Sequence, residues 1–209
     1  MKYHLERIRK HTVISSFIAI IPPKDVQAQI RDVKRALHSE TRNFNFVPLE
    51  RVHIIVKFLG VSVVHDSLNL IQDLLVNIKS NFQPFELNLI QLKFGLPYQN
   101  IPRVLYIEIA PNRILEKLCA NLHYSIKALS LADIVKEKDF YRNISHLTIA
   151  KVKHNVSRSF GRKINKMLKD LVFHQTNFNV DRIFLIKSSF SNKKPQDISY
   201  EIIREFTFT

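Results

Sequence analysis

The chain has 209 residues, 45% of them hydrophobic, with three glycines and one cysteine. That length sets one domain or two small lobes sharing a core, and the composition excludes a disordered chain, a repeat array and a disulfide-stapled scaffold. Lysine and arginine total 32 against 18 aspartate and glutamate, a formal charge of +14, which attracts and steers polyanions.

The basic residues concentrate in Lys2, Arg7, Arg9 and Lys10, in Arg31, Lys34 and Arg35, and between Lys151 and Lys169. An ordinary solvated basic surface has the same composition, so charge alone leaves a nucleic-acid partner and a bland surface both open. No apolar stretch approaches the roughly 20 residues that span a bilayer. The apolar run after the charged N-terminus ends at Pro22 and Pro23 and reads as a strand, so neither a membrane span nor a signal peptide is expected. Cys119 reads as a buried small hydrophobe, and a reduced, cytoplasmic setting is expected.

Residues 13–21 are β-branched and aromatic and predict a strand. Pro22, Pro23, Lys24 and Asp25 then open a helix to about Leu37. Residues 44–47 suggest a short strand, and 52–58 a longer one closed by Gly60. Residues 65–79 carry Leu68, Ile71, Leu75 and Ile78 at helical spacing. Two strands follow, 85–92 and 103–109, separated by the turn chemistry of Gly95, Leu96 and Pro97. Pro111 begins a helix bearing Ile114, Leu115, Leu118, Leu122 and Ile126. Residues 144–152 predict a strand, 157–172 a basic helix with Ser157 as N-cap, and 178–188 and 198–208 two closing strands.

This order predicts an α+β fold of two pseudo-symmetric lobes. Each lobe is a small antiparallel sheet with helices on its outer face, and the two face a central cleft. Each half of the chain supplies one lobe. Residues 1–12 are a basic N-terminal extension, and 13–209 a single bilobal domain, expected to be a monomer.

Two of the predicted strands carry a histidine near their start. One is Val52-His53-Ile54-Ile55-Val56-Lys57-Phe58-Leu59-Gly60 and the other Ser145-His146-Leu147-Thr148-Ile149-Ala150-Lys151. Residues i and i+2 of a strand share a face, so His53 lies with Ile55 and His146 with Thr148. Two imidazoles facing one cleft suit proton transfer near neutral pH. One His-x-Thr is weak evidence in a chain of nine histidines; the repeated context is what raises its weight. His4, His11, His38, His65, His123, His154 and His174 lack that context.

These two segments resemble the signature motifs of the two-histidine (2H) phosphoesterases. Ser16-Phe17-Ile18-Ala19-Ile20, the turn from Gly95 to Leu105, and Tyr200-Glu201-Ile202-Ile203-Arg204-Glu205-Phe206 further resemble the branch named for bacterial and archaeal 2'-5' RNA ligases. The resemblance spans about residues 13–208. It implies a bilobal sheet and a site without metal or other cofactor. It also implies that His53 and His146 are the acid–base pair, with Thr148 hydrogen-bonding the phosphate. The family most often gives the acid role to the first histidine and the base role to the second. The implied substrate and partner is an RNA end carrying a 2',3'-cyclic phosphate, opened to a 2'-phosphate, with 2'-5' ligation as the reverse reaction.

The chain departs from the family at two positions. Ile55 stands where the first motif has threonine and has no hydrogen to donate. Lys151 stands where arginine is frequent; its ammonium can bind phosphate without the bidentate fork. Lys57 reads as a surface charge and Phe58 as core. Tyr98, Arg103 and Tyr141 are candidates to stack on or pair with a nucleotide. Three readings follow: an RNA 2',3'-cyclic phosphodiesterase, an RNA-binding module in which Ile55 marks lost chemistry, and a phosphodiesterase for a small cyclic nucleotide or a 2'-5' linked oligonucleotide. A metal-dependent phosphatase is disfavoured, because no Asp/His cluster has ligand spacing.

Overall fold

The computed structural model describes residues 12–40, 42–97, 101–134, 145–153, 157–171, 173–191 and 194–209. Its strands are β1 (Thr12–Ile20), β2 (Phe44–Phe46), β3 (Ile54–Val61), β4 (Phe85–Phe94), β5 (Val104–Ile109), β6 (His146–Val152), β7 (Thr176–Val180), β8 (Arg182–Ser191) and β9 (Lys194–Thr207). Its helices are α1 (Lys24–Ala36), α2 (His65–Lys79), α3 (Arg113–Ala128) and α4 (Arg158–Asp170). The basic extension before Thr12, with Tyr98 and Tyr141, lies outside the described residues.

Local chemistry accounts for the helix ends and buried faces. Asn112 caps α3 by accepting from the Leu115 N–H at 2.9 Å, so the helix starts at Arg113 rather than Pro111. Leu115, Leu118, Leu122 and Ile126 are buried, but Ile114 is exposed, since it lies about 100° around the helix from Leu115. Ser157 caps α4 through the Phe160 N–H, as its sequence predicts. In α2 the expected stripe of Leu68, Ile71, Leu75 and Ile78 is the buried one. Gly95 turns the chain between β4 and β5 at φ +86°, and a Cβ there would meet Pro102 at 2.9 Å.

All strands pair antiparallel in one nine-stranded sheet, ordered β7-β4-β5-β6-β3-β1-β8-β9, with β2 also paired to β6. The sheet curls into two lobes, β6-β5-β4-β7 and β3-β1-β8-β9, with a histidine strand innermost in each. Helix α4 packs on β4, and α1 reaches β7 through a Gln29–Thr176 hydrogen bond. Helices α2 and α3 pack on each other and on β9 and β3 respectively. The main core fills the space between helices and sheet. A second apolar cluster of Phe17, Ala19 and Ile186, with Ile21, Phe58, Phe184 and Tyr200, packs separately from it.

Three expectations need correction. The lobes are not the two halves of the chain, because β8 and β9 return to pair beside β1. The predicted strand over residues 178–188 is two strands broken at Asp181. Gly60 does not close β3; it pairs with Ser16 inside the strand, at a register shift. Among the described residues, no helix is long and apolar enough to cross a membrane.

Candidate functional site

The lobes meet where β3 and β6 pair at Ile54 and Leu147. Both side chains are fully buried in the main core. Alternation then turns their neighbours to the opposite, cleft face. Extending the antiparallel register sets His53 across from Thr148 and Ile55 across from His146. His53, His146 and Thr148 are half-buried there, and Ile55 is 47% exposed. The four residues form two histidine-plus-two units related by a local two-fold.

Each strand then carries a bulge one residue further on. In β6, Thr148 faces Tyr106 and Ala150 faces Leu105, so Ile149 is the extra residue. Ile149 and Ala150 both enter the core, and Lys151 emerges exposed, paired with Val104. Without the bulge, Ala150 would line the cleft and Lys151 would face the core. In β3, Ile55 faces Ala19 and Lys57 faces Ile18, so Val56 is the extra residue. Lys57 therefore follows Ile18 to the helix side, is 4% exposed, and brings Nζ within 3.4 Å of His123 Nδ1. The expectation that Lys57 is a surface charge is wrong for this reason. Phe58 is the counterpart of Lys151 and packs in the second apolar cluster, not the main core. The local two-fold is thus broken twice: Thr148 and Lys151 on one strand answer to Ile55 and Phe58 on the other.

His53 precedes β3 rather than belonging to it, following the helical turn Leu49–Arg51. Its Nδ1 lies 2.7 Å from the Arg51 carbonyl oxygen. A carbonyl oxygen only accepts, so Nδ1 carries the hydrogen and Nε2 keeps a lone pair in the neutral ring. The ring stacks on Phe17 at 4.8 Å and 24°, and meets Tyr200 edge-on at 5.5 Å. Burial pushes the imidazole below its ordinary pKa. The bond to the Arg51 carbonyl opposes this, and the charges of Lys151 and His146 add to it. Arg51 also donates from its guanidinium to the Ile198 carbonyl at 2.6 Å, tying the His53 turn to β9.

His146 lies edge-on to Tyr106, 5.3 Å between ring centroids. Glu108 is its cross-strand neighbour on β5. The Glu108 carboxylate accepts from Gln91 at 2.7 Å and Lys93 at 2.6 Å. Burial raises that carboxyl, but the bonds from Lys93 and Gln91 outweigh it and hold it below the usual carboxylate range. Glu108 is therefore an anion, compensated by Lys93, beside the second histidine.

The residues singled out in the sequence thus converge: His53, His146, Thr148 and Lys151 share the cleft face at the seam. Arg103 is exposed at the entry to β5, and its carbonyl accepts from the Val152 N–H. Sequence reasoning missed the support around them. Phe17 and Tyr200 lie inside segments that carry the family resemblance, yet nothing local to them signals a histidine box. Arg51 and the Gln91–Glu108–Lys93 group depend on cross-strand register and have no local signal. Among the described residues, no three His, Cys, Asp or Glu side chains gather as a metal-ligand set.

No protein-family profile matches the chain. Solved structures do share its fold. TT0787 of Thermus thermophilus superposes with a TM-score of 0.75 at 19% identity, over 93% of this chain and 97% of that one. A structure described as a phosphoesterase gives 0.66 at 19% identity, over 93% and 98%. E. coli LigT, crystallised with 3'-AMP, gives 0.66 at 17% identity, over 94% and 99%. The same protein has also been crystallised with phosphate.

Proposed function

We propose that this chain is a two-histidine phosphoesterase that opens the 2',3'-cyclic phosphate at an RNA end to a 2'-phosphate, using its own side chains for proton transfer. The observation that carries this reading is the Ile54–Leu147 pair at the β3–β6 seam, whose register, extended by one residue each way, sets His53 across from Thr148 and Ile55 across from His146. It sets two imidazoles on one face with a hydroxyl between them and an ammonium beside them. A phosphodiester seated there has a proton acceptor and a proton donor on either side. Crystals of LigT with 3'-AMP and with phosphate support a nucleotide phosphate as the ligand class.

The two histidines differ, and the difference suggests their roles. His53 is held neutral, with Nε2 as its open lone pair, so it takes the proton from the attacking water. The water oxygen bonds to phosphorus, the P–O3' bond breaks, and His146 gives its proton to O3'. The products are a 2'-phosphomonoester and a 3'-hydroxyl. His53 ends with one proton more and His146 with one fewer, and solvent resets them. This order is the reverse of the family's usual assignment. Thr148 donates to a non-bridging phosphate oxygen, and Lys151 offsets the phosphate charge.

The primary test is hydrolysis of a short RNA ending in a 2',3'-cyclic phosphate, with EDTA present. Conversion to a 2'-phosphate supports the reading. A folded protein that binds the RNA but leaves it intact supports the RNA-binding module instead, the reading that the exposed Ile55 favours.

Two further results are expected. The acidic limb of kcat/KM falls below the ordinary histidine value of about 6.5, because the base works unprotonated and burial lowers its pKa. The limb of kcat lies higher, since a bound phosphate anion favours the imidazolium. Added salt raises KM for an oligonucleotide more than for a nucleoside 2',3'-cyclic phosphate, because the longer chain releases more counterions from the basic surface. Exposed Lys151 on β6 and Lys153 just past its end extend that surface from the site. Parallel KM measurements over a salt series check this.

A further inference from the structure

We propose that Ile55 makes the site hold a phosphate from one side only, so that it accepts sulfur on the non-bridging oxygen facing Ile55 and rejects sulfur on the one facing Thr148. The inference rests on the phosphodiesterase reading and deepens it by naming a substrate class, the 2',3'-cyclic phosphorothioates, and the residue that sorts them.

The argument starts from the broken two-fold. A tetrahedral phosphorus bound to two ring oxygens leaves two non-bridging oxygens. The register extended from the Ile54–Leu147 pair offers one flanking position to each: Thr148 across from His53, and Ile55 across from His146. Thr148 presents a hydroxyl, and exposed Lys151 follows it on the same face. Ile55 is 47% exposed into the cleft and pairs with Ala19, and Phe58 follows it in the second apolar cluster. One oxygen thus meets a donor and a cation, and the other meets hydrocarbon.

Sulfur is larger and more polarisable than oxygen and accepts hydrogen bonds weakly. Against Ile55 it forfeits no hydrogen bond and gains an apolar contact. Against Thr148 it leaves a half-buried donor poorly matched. Sites built to hydrogen-bond a substrate atom reject analogues lacking it, whereas apolar walls discriminate little. In the reaction the sulfur stays non-bridging: the water oxygen bonds to phosphorus, the P–O3' bond breaks, and the product is a 2'-phosphorothioate.

The test is kcat/KM for the separated endo and exo isomers of an RNA ending in a 2',3'-cyclic phosphorothioate, alongside the all-oxygen substrate. The wild-type protein is expected to prefer one isomer by roughly 10- to 150-fold, the worth of one hydrogen bond to a charged acceptor. Ile55→Thr restores a donor and is expected to shrink that ratio by slowing the favoured isomer relative to oxygen. Thr148→Val is expected to shrink it from the other side. Ile55 is exposed, so its replacement leaves the core intact. Wild-type turnover of both isomers at comparable rates, or a preference unchanged in Ile55→Thr, overturns the inference while the phosphodiesterase stands. Failure of the folded wild type to hydrolyse the oxygen substrate overturns the phosphodiesterase reading itself, and this inference with it.

Discussion

Replacing either imidazole by a methyl group is expected to lower turnover of a cyclic-phosphate RNA by about 10²- to 10⁴-fold, the span that one positioned proton donor or acceptor contributes. His146→Ala is the cleaner variant. His53 stacks on Phe17 and meets Tyr200 edge-on, and those two rings also touch each other, so His53→Ala removes one member of a three-ring cluster. Its thermal melt must therefore be compared with wild type before its rate is read. RNA affinity is expected to survive both changes, since Thr148, Lys151 and the basic surface remain. Loss of binding together with turnover would point to a structural role for the ring.

The same pair of variants separates acid from base. A thiolate leaves without needing a proton, whereas an alkoxide does not. On a substrate whose bridging 3'-oxygen is sulfur, His146→Ala is expected to regain most of its lost turnover. His53→Ala is expected to stay slow, because the attacking water still needs a base. The opposite pattern would return the acid role to His53. The Nδ1–H bond to the Arg51 carbonyl and the burial of the ring are what favour His53 as the base.

Ile55→Thr is expected to raise turnover on the oxygen substrate. A hydrogen bond to a charged acceptor contributes about 1.5–3 kcal/mol. If all of it appears in the transition state, the gain is roughly 10- to 150-fold in kcat. A rise confined to affinity, with kcat unchanged, would place the new bond equally in ground and transition states. No change in either would mean that the phosphate does not approach this position. The side chain is half exposed, so stability should move little.

Alternation and spacing were enough to find the helices, most strands and both histidines. The stripe of Leu68, Ile71, Leu75 and Ile78 buried as its period requires, and Ser157 caps the helix it precedes. Bulges were not legible. An extra residue in each strand, Val56 and Ile149, reverses the face of the residues that follow it, in β3 as far as the second shift at Leu59. That is why Lys57 is buried and Lys151 reaches the cleft. Nor could the sequence show that β8 and β9 return to β1, since strand pairing over long separations leaves no local trace. The box around His53 draws on Phe17, Arg51 and Tyr200, three distant segments that only the sheet order unites.

That return has a consequence for how the molecule is assembled. The lobe of His146 draws its four main strands from residues 85–180, a contiguous stretch that can pair as soon as it has been synthesised. The other lobe cannot. Phe17 waits for Ile186, and Ser188 for Tyr200, so β1 leaves the ribosome with one hydrogen-bonding edge unmatched until β8 has been made. Such long-range closure is slow and exposes the edge to wrong partners meanwhile. The imidazole with the more elaborate setting is therefore the last to receive it. A nascent chain can complete the half-site of His146 while that of His53 is still missing Tyr200.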